Sequence, residues 1–231
     1  MSERDPRIMT VANSERRLRQ IAKAYYIAKQ TVVRKGYASE IDWQYSVSLE
    51  DLDETTFLRE AAWVILCSGF RESTVRRKFP EITRAFFDWQ SAHEIVDHAE
   101  ICKKRALCHF AHDGKVSAIV AVASHVHRHG LDEVVRKIEE IGILYLQQLP
   151  FIGPATSYHL AKNIGLPVAK PDRHLSKIAH LLGYDNIQAF CAEIARATDE
   201  PISVVDVVLW RYATIYDQHI DRFATFIGDV H

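Results

Sequence analysis

The sequence predicts an all-α protein, and three observations carry that prediction. Apolar residues recur three and four apart along most of the 231 residues, as they do on amphipathic helices. Gly, Pro and Asp-Gly corners punctuate those runs at helix-like intervals. Only IDWQYSVSL (41–49) alternates in a strand-like way, and it stands too isolated to define a sheet.

The helical runs follow in order. LRQIAKAYYIAKQTVV (18–33), FLREAAWVILCSGF (57–70), KVSAIVAVASHVHRH (115–129) and LDEVVRKIEEIGILYL (131–146) each carry an apolar stripe. VVDVVLWRYATIYDQHI (204–220) is apolar and aromatic nearly all round, which predicts a buried helix. Turns are expected at 113–114, 129–130, 149–154, 164–167 and 183–186. The expectation is about ten helices, in one unit over 1–231 made of two helical lobes flanking a cleft. Residues 1–50 are expected to form a helical extension that packs on the core.

Composition narrows the function classes. Hydrophobic residues make up 48% of the chain, enough for a sizeable core. The formal net charge of -1 excludes a generic polycation, so any nucleic-acid binding must use a local basic face. No apolar run approaches the roughly 20 residues of a membrane span, and residues 1–15 lack a signal-like apolar region. A cytoplasmic protein with no membrane partner is the expectation. Four cysteines without a CxxC pair read as reduced thiols. Arg16, Arg17, Arg19, Lys23, Lys29, Arg34 and Lys35, and separately Arg71, Arg76, Arg77 and Lys78, form basic clusters. Each either tracks phosphates or is a solvated face. His125, His127 and His129 stand two apart, so a helix there denies them a shared metal-binding face.

The most informative stretch is GILYLQQLPFIGPATSYHLAKNIG, residues 142–165. Leu149-Pro150 stops one helix, Gly153 is free to take a positive φ, and Pro154 suits the first turn of the next. Gly165 is placed to end that second helix. Such a corner presents backbone N–H groups at a helix N-terminus, a ready phosphate site; an ordinary αα-corner reads the same way. Asp172 then stands alone in KPDRHL, where it can cap a helix beginning near Arg173.

LPFIGPATSYHLAKNIG followed by GLPVAKPDRHL resembles the helix-hairpin-helix DNA glycosylase superfamily, the group of endonuclease III, the adenine glycosylase and the alkyladenine glycosylases. Gly153 and Asp172 stand nineteen positions apart, near that family's spacing. The resemblance covers about residues 57–220 in element order and is most specific over 144–182. It implies that 142–165 is the helix-hairpin-helix, with Phe151, Ile152, Gly153, Pro154, Ala155 and Thr156 meeting double-stranded DNA. It implies Asp172 as the catalytic carboxylate, stabilising the sugar cation that develops as a base departs.

Family members act on a flipped base and need a wedge and a pocket. Phe70 and Arg71, just after Gly69, are the wedge candidates, and Trp63, Trp210, Tyr212 and Tyr216 the pocket candidates. Lys115, Lys170 and Arg173 are further DNA contacts implied by the resemblance and its surroundings. The resemblance also implies a monovalent cation, Na+ or K+, on the backbone carbonyls of Leu149, Phe151 and Ile152. Three departures stand out. Phe151 replaces the first Gly of the hairpin, Ala155 stands where bifunctional members carry a Schiff-base Lys, and the four-Cys iron–sulfur loop is missing. The expected activity is therefore base excision by a monofunctional, monomeric glycosylase without an iron–sulfur cluster. Two alternatives stand beside it: a non-catalytic DNA-binding relative, and an N-glycosidase acting on a free modified nucleoside or nucleotide.

Overall fold

A computed structural model describes residues 6–227, so the first five and last four residues of the expected 1–231 unit lie outside it. Every regular element among the described residues is helical, and they divide between two compact units. The central unit spans Val47–Leu166; the terminal unit joins the chain before it to the chain after it.

The terminal unit holds α1 (Pro6–Val32), α2 (Ala38–Ser46), α11 (Arg173–Leu181), α12 (Ile187–Thr198), α13 (Ile202–Ile215) and α14 (His219–Ile227). Ile21, Tyr25, Ala28 and Val32 recur three and four apart on α1 and are buried with Leu175, Phe190, Val204, Val208, Tyr212 and Phe223. α1 is a core layer of this unit, because its apolar stripe faces α12, α13 and α14. α13 is buried on nearly every face, as its all-round apolar sequence predicts. Gly36, at φ 89°, breaks the chain between α1 and α2. Residues 41–49, the one stretch that alternates in a strand-like way, lie in the helix α2 and the loop that follows it. The inward residues of α2 are Ile41 and Gln44, three apart on one helical face, and the Arg211 guanidinium grips Glu40 beside them at 2.7 and 2.5 Å.

The central unit holds α3 (Glu54–Cys67), α4 (Glu72–Ala85), α5 (Ala92–Asp97), α6 (Ala99–His109), α7 (Asp113–His129), α8 (Leu131–Ile141), α9 (Ile143–Leu146) and α10 (Pro154–Asn163). The fourteen α-helices among the described residues exceed the ten expected, because elements as short as α5 and α9 are too brief to show a period. Phe57, Leu58, Ala61 and Ile65 of α3 pack in the core with Val116, Ile119, Val122 and Val126 of α7. Buried Glu60 accepts from the Asn163 amide at 2.8 Å, tying α3 to the end of α10. Burial pushes the Glu60 carboxyl above its ordinary value, against the pull of Arg59 and Asn163.

Candidate functional site

The turn between α9 and α10 is built from Leu149 to Gly153. The Ile152 N–H donates to the Leu149 carbonyl at 3.1 Å, closing the corner. The left-handed residue of this corner is Phe151, at φ 62°, and not Gly153, which is extended at φ -88°. That corrects the sequence expectation: the turn does need a positive φ, but two residues earlier, where a non-Gly residue holds it. A bulky residue in that region costs about 1–3 kcal/mol, which the surrounding structure must offset. Phe151 thus stands at the position of the corner whose backbone favours Gly.

At the start of α10 the Thr156 hydroxyl accepts from the Gly153 N–H at 2.6 Å, and Pro154 occupies the first turn. The amides of Ala155 and Thr156 follow, in the turn where a helix has no acceptor of its own to offer. Ala155 is exposed and Thr156 half-buried. Leu149, Ile152, Gly153 and Thr156 line an open groove together with Ser68 and Gln147. Of the three carbonyls expected to face a cation, that of Leu149 already serves the corner. Ile152 is buried in the core.

Phe70 and Phe151 are both exposed, at 43% and 49%, and both ring centroids lie 5.6 Å from the Lys115 ammonium. Lys115 itself is only 3% exposed, and its Nζ donates to the Ile65 carbonyl near the C-terminal end of α3. Burial pushes its pKa down. Lys115, expected to meet DNA, here makes an internal contact, its charge facing the carbonyl end of α3, which leads into Phe70. Arg71 is exposed beside Phe70. Trp63 lies in the same unit, edge-on to Phe79 at 5.1 Å with the Arg76 guanidinium over its face.

Asp172 belongs to the terminal unit and caps α11. One oxygen, Oδ1, accepts from the His174 N–H at 2.8 Å and the Leu175 N–H at 3.0 Å. Both cap bonds fall on that oxygen, so Oδ2 stays outside the cap. The approach to Asp172 is clamped from two helices. Gln188 of α12 bonds both the N–H, at 2.9 Å, and the carbonyl of Ala169, and Asp206 of α13 accepts from the Lys170 N–H at 2.7 Å. The sequence reading missed Gln188 and Asp206. Their only local signal is a polar residue inside apolar helical runs, the buried Asp206 above all. Beside Asp172, the His174 ring stands 5.3 Å from that of His219, and burial pushes the His174 imidazole below its ordinary value against the opposing pull of Asp172. Arg173 is exposed and Lys170 half-buried.

The pocket candidates divide. Tyr212 is sealed in the terminal core at 1% exposure, a packing role. Trp210 is half-buried with Arg211 over its ring, and Tyr216 half-buried with Arg222 over its ring. Among the described residues no three His, Cys, Asp or Glu side chains are placed to hold a metal. His125 instead pairs with the Tyr145 hydroxyl at 2.8 Å. No disulfide links cysteines among the described residues. No described helix is long and apolar enough to cross a membrane.

Compared with protein-family models, with curated proteins and with solved structures, the chain matches none.

Proposed function

We propose that this chain is a monofunctional DNA N-glycosylase, hydrolysing the bond between a damaged or modified base and its deoxyribose in double-stranded DNA. The observation that carries the reading is Asp172: it opens a helix, uses one carboxylate oxygen for the cap, and leaves the other for chemistry. The clamp by Gln188 and Asp206 supports it, since a charge that must answer a forming cation works best when already held in place. As the glycosidic bond breaks, its electron pair leaves with the base and the sugar acquires oxocarbenium character, which the Asp172 carboxylate stabilises. Water then adds to the anomeric carbon and its surplus proton ends on the departed base. Ala155 supplies no amine, so the product is an abasic site with the strand intact. The Ala155 and Thr156 amides at the start of α10 suit a DNA phosphate. Phe70, exposed after Gly69, suits the gap a flipped base leaves.

A second reading, a DNA-binding protein without catalysis, is favoured by one fact: the two bonds from α11 already give Asp172 a complete structural role. One experiment separates the two. Duplexes carrying single alkylated, oxidised, deaminated or phage-type modified bases are assayed for abasic sites. Asp172→Asn keeps a capping side chain, so it is expected to bind DNA and melt as the parent does, while base release falls by about 100-fold or more. Asp172→Ala should in addition lose about 1 kcal/mol of stability. Release that survives in the Asn variant removes Asp172 from the chemistry. Tight binding with no release from any duplex establishes the second reading.

A further inference from the structure

Phe151 has no role in a phosphate grip made of backbone amides, yet its backbone and its ring are both unusual. It holds a left-handed φ of 62° that Gly would adopt without strain. Its side chain is 49% exposed, where an apolar ring gains little from burial. The ring is nonetheless placed. Its Cζ lies 3.3 Å from where a Cβ on Gly114 would stand, so the bare first turn of α7 makes room for it. His112 meets it edge-on at a centroid distance of 6.2 Å, and the Lys115 ammonium sits 5.6 Å from its centroid. Phe70 sits at the same distance from that ammonium. Two exposed aromatic faces thus flank one buried cation, and Phe70 rests in turn on Phe110, over which Lys78 lies at 5.7 Å.

We propose that Phe151 and Phe70 form a stacking surface for an unpaired nucleobase. The occupant follows from the chemistry. A flat π-system stacks on an aromatic face in a way that an aliphatic surface does not reward. The positive charge beneath and beside the rings favours a ligand whose backbone is anionic. The proposal rests on the reading of the chain as a DNA-binding protein and goes beyond it in one respect. It assigns the side chain at 151, rather than its backbone, to the DNA, and makes an unpaired base the preferred ligand over intact duplex.

The test measures binding alone, so it is independent of base release. Three probes are titrated by fluorescence anisotropy: an intact duplex, the same duplex with a one-nucleotide 2-aminopurine bulge, and a single strand. Phe151→Gly removes the ring and relieves the left-handed backbone, so the variant is expected to melt no lower than the parent. It should bind the bulged probe roughly tenfold or more weakly, with little change on the intact duplex. The 2-aminopurine emission quenched by the parent should recover. Phe151→Tyr should behave as the parent, and Phe70→Ala should reproduce the loss from the second ring. Equal binding of the bulge by parent and Phe151→Gly overturns the proposal, as does an equal loss on all three probes. If the parent binds no DNA, this proposal and the glycosylase reading fall together. If it binds and stacks but releases no base, only the glycosylase reading falls.

Discussion

Among single residues, the buried carboxylate of Glu60 has the clearest dependence on solution conditions. Its pKa is raised in the folded state, chiefly by burial, above the ordinary 4.5. The folded protein therefore holds this proton more tightly than the unfolded chain does. The resulting stability is fully present below the ordinary value and is lost as pH rises through the raised one. Glu60→Gln keeps an acceptor for the Asn163 amide but carries no charge. The variant should thus gain on the parent as pH rises, so that urea midpoints favour it more near pH 8 than near pH 4. The lost Arg59 contact weighs little against this, because that side chain is 42% exposed. An equal offset at both pH values would show that Glu60 is not strained when ionised. Gly165 makes the opposite case, in which geometry alone decides. At φ 98° and with the Ser48 carbonyl carbon 2.6 Å from any added Cβ, it admits no side chain.

Elements, rather than residues, set where Asp172 stands. α11 supplies the capped amides, while α12 and α13 reach across to clamp the loop that leads in. Ala169 is fully buried, so without Gln188 its N–H and carbonyl would lack partners in a place water does not reach. Gln188→Ala is expected to cost about 1–3 kcal/mol in chemical denaturation. Under the proposed activity it should also lower kcat more than it raises KM, since the loosened group acts on the transition state. A variant with parental stability and kcat would show that the approach to Asp172 needs no clamp. This clamp marks the limit of what the sequence disclosed. Helix type, the corners at 129–130 and 164–167, and Asp172 at a helix start were all legible, because each rests on local spacing or on Gly and Pro. Partners 19 and 36 residues apart leave no such trace. The same holds for the internal contact of Lys115, expected to meet DNA, with the Ile65 carbonyl 50 residues away. At 151 the misreading had another cause: the corner contains a Gly, and the left-handed position lies two residues before it.

For the whole molecule, the division of the chain is itself a statement about folding. Both segments that bound the central unit meet at Gly165, whose Cα faces the Ser48–Leu49 backbone, so the unit begins and ends at one point. A unit with adjacent ends can be interrupted into a host chain without strain on either. Its own core, centred on α3 and α7, contains none of the residues of the core around α1 and α13. The terminal unit lacks that autonomy, because α1 completes a core whose other walls come from residues after 167. The fragment 47–166 alone should therefore give a helical circular dichroism spectrum and a cooperative thermal transition. The fragment 167–231 alone should not, because the apolar faces of α12 and α13 that α1 covers would be open to water. Adding a peptide of residues 1–46 should restore a cooperative transition to it. A noncooperative 47–166 fragment would mean that the two cores, separate in their residues, are not separate in their energetics.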